Sequence, residues 1–381
     1  MKGITDTEII VANSAPMSGP YIASGDPMNA GIRSYFDMVN AGGGIDGRKI
    51  RFLHQDDGND PVKGKEILEH FLSDEVFAYI GHFGSEVVSA TLDRVKESGM
   101  PVVYFFTAIH DLYGEQVQTP AEGRRCFPIQ TIYVTEGRGL VARCVSDLHA
   151  SSIGVIYSED DTGRDIMDGI HRQCGKLSLP CTARGVSIAP EALEQALPEV
   201  VAEVLSHNPD AIVLACSRAA FAPAALELAR QKNTRPAITS YVNMIITEAF
   251  KIFDDVLGQY RLYAPSWVDY QNEHLHNLEE ASEWLGDYAL HAYAHCGWMA
   301  AYVFCEALKR LHGETPTWEN FTRAMEEAPF DLPFAGRIDF AGGVRLGAQE
   351  MTLSELDRYA PTGWAQIDGL RSIDELLQKA K

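Results

Sequence analysis

Residues 76–107, VFAYIGHFGSEVVSATLDRVKESGMPVVYFFT, and residues 210–241, DAIVLACSRAAFAPAALELARQKNTRPAITSY, follow one plan. A short apolar run (Phe77–Ile80; Ala211–Ala215) ends in a turn of small residues carrying Ser85 or Ser217. An amphipathic stretch comes next, then Pro101 or Pro236, then a second apolar run closing on Thr107 or on Ser240–Tyr241. Apolar runs of this length between turn signals read as buried strands, and the stretch between them has helical spacing. Each segment therefore predicts a strand–helix–strand unit. Two such units with hydroxyl groups at matching places predict two similar α/β lobes that clamp a ligand.

The same alternation extends outward. Ile9–Asn13 reads as a strand, SAPMSGPYIASGDP as a loop, and Asn29–Asn40 as a helix. After a glycine-rich turn at Gly42–Gly47 come a strand (Ile50–Gln55), the acidic turn DDGNDP and a helix from Val62 to Leu72. A second set holds strands at Ile153–Tyr157 and Ala211–Ala215, with helices at Thr162–Cys174, Glu191–Ser206 and Ala219–Gln231. Such a pattern predicts an α/β fold of doubly wound parallel sheets with helices on both faces. Sheets of that kind bind ligands beyond the carboxyl ends of their strands, where Ser85, Thr107, Thr162, Ser217 and Tyr241 all fall.

A chain of 381 residues has room for two cores, and 46% apolar with 22% charged residues is ordinary for a soluble globular protein. The net charge of −21 argues against a general nucleic-acid binder and against docking on an anionic membrane, since both need a basic surface. No apolar run is long enough to span a bilayer. After Met1 the chain enters its first strand almost at once, which fits either a cytosolic protein or an exported one whose signal peptide is missing.

Enzyme signatures are absent. No GxxxxGK[ST] loop or GxSxG elbow occurs. GGGIDG at Gly42–Gly47 follows a helix rather than a strand, so it reads as a turn. His82 stands three residues from Ser85, which does not make a triad. His54 with Asp56 and Asp57 reads as a solvated strand end. Seven cysteines without a CxxC make a metal site improbable, and no cofactor is called for. Cys144, Cys296 and Cys305 read as buried small apolar residues. Cys174 and Cys181, in CGKLSLPC, flank a helix end and a turn, so both a disulfide and two thiols are open. Ser85 and Thr162 stand where helices begin; each can cap free N–H groups or help those amides receive a carboxylate. Asp160–Asp161 can cap the following helix or meet a cationic group.

The stretch EIIVANSAPMSGPYIASGDPMNAGIRSYFDMVNAGGGIDGRKIRFLHQDDGNDPVKGKE resembles the first lobe of the leucine-isoleucine-valine-binding protein family, the type I solute-binding proteins of ABC importers. The resemblance is carried by Pro16–Ser18–Gly19–Pro20, Gly25–Asp26, Asn40 through Gly47 and Asp56–Asp57–Asp60–Pro61, and later by YIGHFGS, FFTA and YSEDDTG. It implies two lobes joined by a three-segment hinge near Gln130–Tyr133, Tyr260–Pro265 and Phe334–Phe340. Lobe 1 would be residues 1–131 with 265–336, Glu273–Met325 returning to it; lobe 2 would be 132–264 with 337–381.

By the same resemblance, Ser85 matches the serine that holds the ligand carboxylate, and Phe106, Thr107 and Ala108 occupy the segment contacting the ligand's amino-acid end. Thr162 and Ser217 stand where tyrosines are common. Tyr241 falls near the acidic residue that meets the α-ammonium, which leaves that ammonium without a partner unless Asp161 or Glu136 supplies one. Trp298 matches a site-edge tyrosine, with helix-core packing as its alternative. A disulfide of some relatives is replaced together on both sides, by Asn59 and Gly84. Phe83, Phe105, Phe106, Tyr21 and Tyr241 would supply an aromatic lining. The expected function is non-enzymatic capture of a small carboxylate, an amino acid or an aromatic or keto acid, between the lobes. Delivery would be to an ABC permease outside the cytoplasm; a ligand sensor acting on a regulatory partner is the alternative.

Overall fold

A computed structural model describes residues 2–73, 76–244, 246–271 and 275–379. The chain divides into two compact units, Met1–Gln130 with Tyr270–Ala348 (unit 1) and Thr131–Asp269 with Gln349–Lys381 (unit 2).

Unit 1 begins β1 (Glu8–Ala15), α1 (Ile22–Ala41), β2 (Lys49–Asp56), α2 (Pro61–Ser73), β3 (Ala78–Phe83), α3 (Ser85–Ser98), β4 (Val102–Phe106) and β5 (Cys126–Phe127). Its five parallel strands lie in the order β2-β1-β3-β4-β5. Moving one way from β1 to β2 and the other way to β3 and β4, right-handed crossovers put α1 on one face and α2 and α3 on the other. β3 is buried at every residue, as a strand covered on both faces must be.

Unit 2 repeats this logic with α4 (Tyr133–Ser146), β6 (Ile153–Ser158), α5 (Asp161–Leu177), β7 (Cys181–Val186), α6 (Pro190–Ser206), β8 (Ala211–Ala215), α7 (Arg218–Arg230), β9 (Ala237–Thr239), α8 (Ile246–Val256) and β10 (Leu262–Ser266). The later chain returns to unit 1 as α9 (Leu275–Leu285), α10 (Ala292–Lys309), α11 (Trp318–Glu327) and the short pair β11 (Phe330–Asp331) and β12 (Arg337–Ile338). It closes in unit 2 with β13 (Glu350–Leu356), β14 (Trp364–Ser372) and α12 (Ile373–Lys379). The second sheet runs β14-β13-β10-β9-β8-β6-β7, its parallel strands extended by an antiparallel pair, β13 and β14. Val201, Leu214, Phe221, Leu228 and Ile252 are fully buried beneath its helices.

Both units join their paired helices by the same device. A Cβ on Gly31 would strike the Ala294 carbonyl, and one on Gly297 would strike the Met28 carbonyl, so α1 and α10 touch backbone to backbone. In unit 2, Gly137 faces the Ile166 carbonyl and Gly169 the Val134 carbonyl in the same reciprocal way, between α4 and α5. Only a residue without a side chain fits there.

Several expectations need correction. The first helix starts at Ile22, not Asn29, and passes through Pro27; Gly25 lets its first turns close on the Pro16 carbonyl. Residues 337–348 pack within unit 1. Arg345 is fully buried there, its guanidinium 4.5 Å from the Phe127 ring centre, donating to the Arg124 and Phe340 carbonyls and paired with Glu326. Residues 265–269 stay in unit 2, because Pro265 and Ser266 pair with β13 and Asp269 accepts from Gln366 Nε2 at 2.8 Å. Glu273, the expected start of the return to lobe 1, lies outside the described residues.

Candidate functional site

In unit 1 the residues of interest stand at the carboxyl ends of β3 and β4, and a shared kink puts them there. Gly81 (φ +77°) and Tyr104 (φ +68°) sit in neighbouring strands at the one break in the ladder between Ile80↔Val103 and His82↔Phe105. Glycine takes this backbone at no cost, whereas a tyrosine at positive φ is strained and must be held. Tyr104 is held by burial, by its hydroxyl donating to Gln130 Oε1 and by an edge contact with the Phe106 ring at 5.6 Å.

Beyond the kink, Ser85 Oγ and Thr107 Oγ1 are hydrogen-bonded at 2.7 Å. Ser85 is not the cap of α3. Gly84 (φ 87°) takes that position and offers no side chain, so the first amides of α3 have no side-chain cap. Ser85 is the helix's first residue, and its hydroxyl turns to Thr107 instead.

Around this pair lies an aromatic group. The Phe83 and Phe106 rings stack at 5.1 Å and 11°, Tyr21 meets Phe83 edge-on at 6.5 Å, and Tyr293 meets Phe106 edge-on at 4.9 Å. Phe106 is half-buried; Thr107 and Ala108 are buried. Tyr293, in the first turn of α10, went unread in the sequence, where nothing in its spacing sets it apart from core residues. Phe105 points the other way, into the core, its ring 6.3 Å from that of His82. Burial holds the His82 imidazole down at about 4, and its Nε2 lies 2.7 Å from Thr91 Oγ1. Trp298 is buried edge-on against Tyr35 at 5.0 Å, packing α10 on α1.

The neighbouring acidic turn is solvated at Asp56 and Asp60, as its composition leads one to expect, but not at Asp57. Asp57 is fully buried, its carboxyl pushed up by desolvation, while accepting from Asn59 N at 2.8 Å. Asp56 accepts from the Met17 and Gly58 amides at 2.8 and 2.9 Å. Asn59 Oδ1 fills the space a Cβ on Gly84 would need, so these two positions are in contact.

Unit 2 builds its corresponding face around a buried acid. Glu136, in the first turn of α4, is fully buried. Its Oε1 accepts from the Tyr241 amide at 2.7 Å and its Oε2 from Ser240 Oγ at 2.9 Å. Desolvation outweighs these bonds and pushes the carboxyl up to about 8. The Tyr241 hydroxyl donates to the Thr131 carbonyl at 2.8 Å, and its ring stacks on Tyr133 at 6.1 Å and 27°. Tyr133 is buried, and that burial pushes its phenol up.

Asp160, not Thr162, caps α5: its Oδ1 accepts from Gly163 N at 2.9 Å and from Ser158 Oγ at 2.8 Å. Ser158 Oγ in turn accepts from the Ser217 amide at 2.9 Å, tying the ends of β6 and β8 together. Ser217 Oγ is buried without a partner among the described residues, and Asp161 is exposed. Thr162, Ser217 and Tyr241 thus share one face of unit 2, and Phe83, Ser85, Phe106 and Thr107 one face of unit 1. Trp298 belongs to the core.

Two doubly wound α/β units, each with polar groups gathered past the carboxyl ends of its parallel strands, define the two-lobed architecture of type I periplasmic binding proteins. The chain belongs to the periplasmic binding protein family, whose model matches residues 8–361. A Leu/Ile/Val-binding protein homolog 2 of Brucella abortus (strain 2308) is 33% identical over 103 residues, 27% of this chain and 28% of that protein. The sequence match to this curated relative thus spans about a quarter of its length. Among solved structures, a fatty acid ABC transporter substrate-binding protein from Thermomonospora curvata superposes with a TM-score of 0.80 at 20% identity, covering 99% of this chain and 95% of its own. A branched chain amino acid ABC transporter protein from Thermus thermophilus with bound valine gives 0.76 at 14% identity, covering 99% of both chains. At such identities these two show the shared fold.

Proposed function

We propose that this protein is the solute-binding component of an ABC importer, closing two lobes over a small carboxylate outside the cytoplasm and presenting it to a permease. The observation that carries the reading is the Ser85–Thr107 hydroxyl pair at 2.7 Å, standing before helix amides that have no side-chain cap. Two hydroxyls and helix amides without a side-chain cap suit an anion. The aromatic surface of Phe83, Phe106 and Tyr293 suits a planar or apolar body. An α-amino acid is disfavoured: Glu136 already accepts from Ser240 and Tyr241 and is pushed up to about 8, and a neutral acid cannot pair an ammonium. Asp161, the other acid considered, is exposed. The ligand is therefore read as an aromatic or keto acid.

A thermal-shift screen of ligand-stripped protein tests this. Benzoate-like and aryl-keto acids at a hundred times their dissociation constant should add about 2.7 kcal/mol and raise the melting temperature by about 2–4 °C. Scattering should then report a smaller radius of gyration. A response confined to leucine-like amino acids would overturn the ligand assignment, and one without compaction the closure.

A further inference from the structure

Of seven cysteines, Cys126, Cys144, Cys216, Cys296 and Cys305 are fully or almost fully buried. Cys174 and Cys181 differ from them in being neighbours. Cys174 lies in the last turn of α5, and Cys181 opens β7 opposite Ile153. The turn between them is tight: Ser178 adopts the left-handed conformation (φ 53°), and the Leu179 amide returns to the Cys174 carbonyl at 3.0 Å. That reversal carries the chain from the end of α5 back to the start of β7, and the two thiols act on each other, Cys174 pushed up and Cys181 down. Cys181 is half-exposed, which gives an oxidant access to one sulfur of the pair. The neighbouring Cys174 holds the Cys181 thiol below the usual range, raising the share of nucleophilic thiolate. Cys144 is the nearest competitor; it is fully buried and its thiol is pushed up to about 12 by desolvation.

We propose that Cys174 and Cys181 are an oxidation site, closing to a disulfide that staples the end of α5 to the edge strand β7. The oxidant is a second disulfide, on a dithiol oxidase or a small thiol. Cys181 thiolate attacks one sulfur of that disulfide, forming a mixed disulfide and expelling one thiolate. Cys174 then loses its proton and attacks the Cys181 sulfur, expelling the second thiolate. Two protein thiols are oxidised and one external disulfide is reduced. The staple sits at the opposite end of α5 from Asp160 and Thr162, so oxidation should change stability and leave ligand affinity alone. The inference does not depend on the ligand reading above.

The full-length protein, incubated with oxidised glutathione, is unfolded, alkylated, digested and analysed by mass spectrometry. The expected result is one linked peptide joining Cys174 to Cys181, with five alkylated cysteines, and full alkylation after reduction. The oxidised form should melt about 2–4 °C above the reduced form, a difference that disappears in Cys174→Ser and in Cys181→Ser and persists in Cys144→Ala. Seven alkylated cysteines after oxidation, a glutathione adduct stalled on Cys181, or a linked peptide containing Cys144 would each overturn the proposal.

Discussion

The two candidate faces occupy equivalent places in equivalent units yet are built from opposite materials. In unit 1 the carboxyl ends of β3 and β4 carry two hydroxyls and a set of stacked rings, with no ionisable group in that set except phenols. In unit 2 the ends of β6, β8 and β9 are organised by two carboxyl groups, Asp160 at the cap of α5 and Glu136 beneath Ser240 and Tyr241. One face is held by dispersion and ring packing. The other is held by hydrogen bonds to two acids, Glu136 withdrawn from water and Asp160 half-exposed. The repeated strand–helix–strand plan therefore fixes where polar groups stand and leaves their chemistry to each unit.

The largest effect should come from the rings. Phe106→Ala removes the stack on Phe83 and the edge contacts to Tyr104 and Tyr293, and leaves a gap beside a strained Tyr104. Phe106 is half-buried, so a loss of about 3 kcal/mol, at the lower end for Phe→Ala, is expected in denaturant unfolding of unit 1. A loss below about 1 kcal/mol would mean that the rings do not organise this face.

Glu136 should come second. Glu136→Ala strands the Ser240 hydroxyl and the Tyr241 amide, at a cost of about 2 kcal/mol. Glu136→Gln keeps an acceptor and should cost less. The two variants also separate in pH. The folded carboxyl stands at about 8 against an ordinary 4.5, so between those values the native state binds more protons than the unfolded chain. Its contribution is fully present below 4.5 and is lost as pH rises through 8. The melting temperature of the parent should fall from about pH 6 to pH 9 more steeply than that of Glu136→Gln. Parallel curves would mean that Glu136 is ionised and that the acid is available to a ligand ammonium.

The legible part of this molecule was its periodicity. Runs such as AIVLA at Ala211–Ala215 and the two strand–helix–strand segments announce buried parallel strands, because a strand covered on both faces must be apolar throughout. The placement of Ser85, Thr107, Ser217 and Tyr241 past strand ends followed from the same pattern. What spacing could not show was direction and burial. Phe105 and Phe106 are adjacent and chemically identical, yet one enters the core beside His82 and the other meets Tyr293. Asp57 looks like a surface turn residue and is fully buried, one of its oxygens accepting from the Asn59 amide of the folded turn itself. The Asp160 cap of α5 was among the readings of its sequence, whereas α1 begins at Ile22 rather than Asn29 and runs through Pro27. Tyr133 was read as part of a crossing segment. Its role in stacking on Tyr241 depends on a contact more than a hundred residues away in sequence.

The smallest effect should also divide the two faces most cleanly. Ser85 and Ser217 are the matching serines of the repeated plan, each at the start of the helix that follows a central strand. Ser85 Oγ is paired with Thr107, whereas Ser217 Oγ is buried with no partner among the described residues. Removing one partner of a hydrogen bond costs about 1 kcal/mol, but removing an unpaired buried hydroxyl relieves a desolvation cost. Ser85→Ala should therefore lower stability by about 1 kcal/mol, and Ser217→Ala should be neutral or slightly stabilising. With an aromatic acid as ligand, Ser85→Ala should also weaken binding on the order of 10–100-fold, since a hydrogen bond to a charged group is lost. If Ser217→Ala weakens binding as much as Ser85→Ala does, its unpaired hydroxyl is held for the ligand.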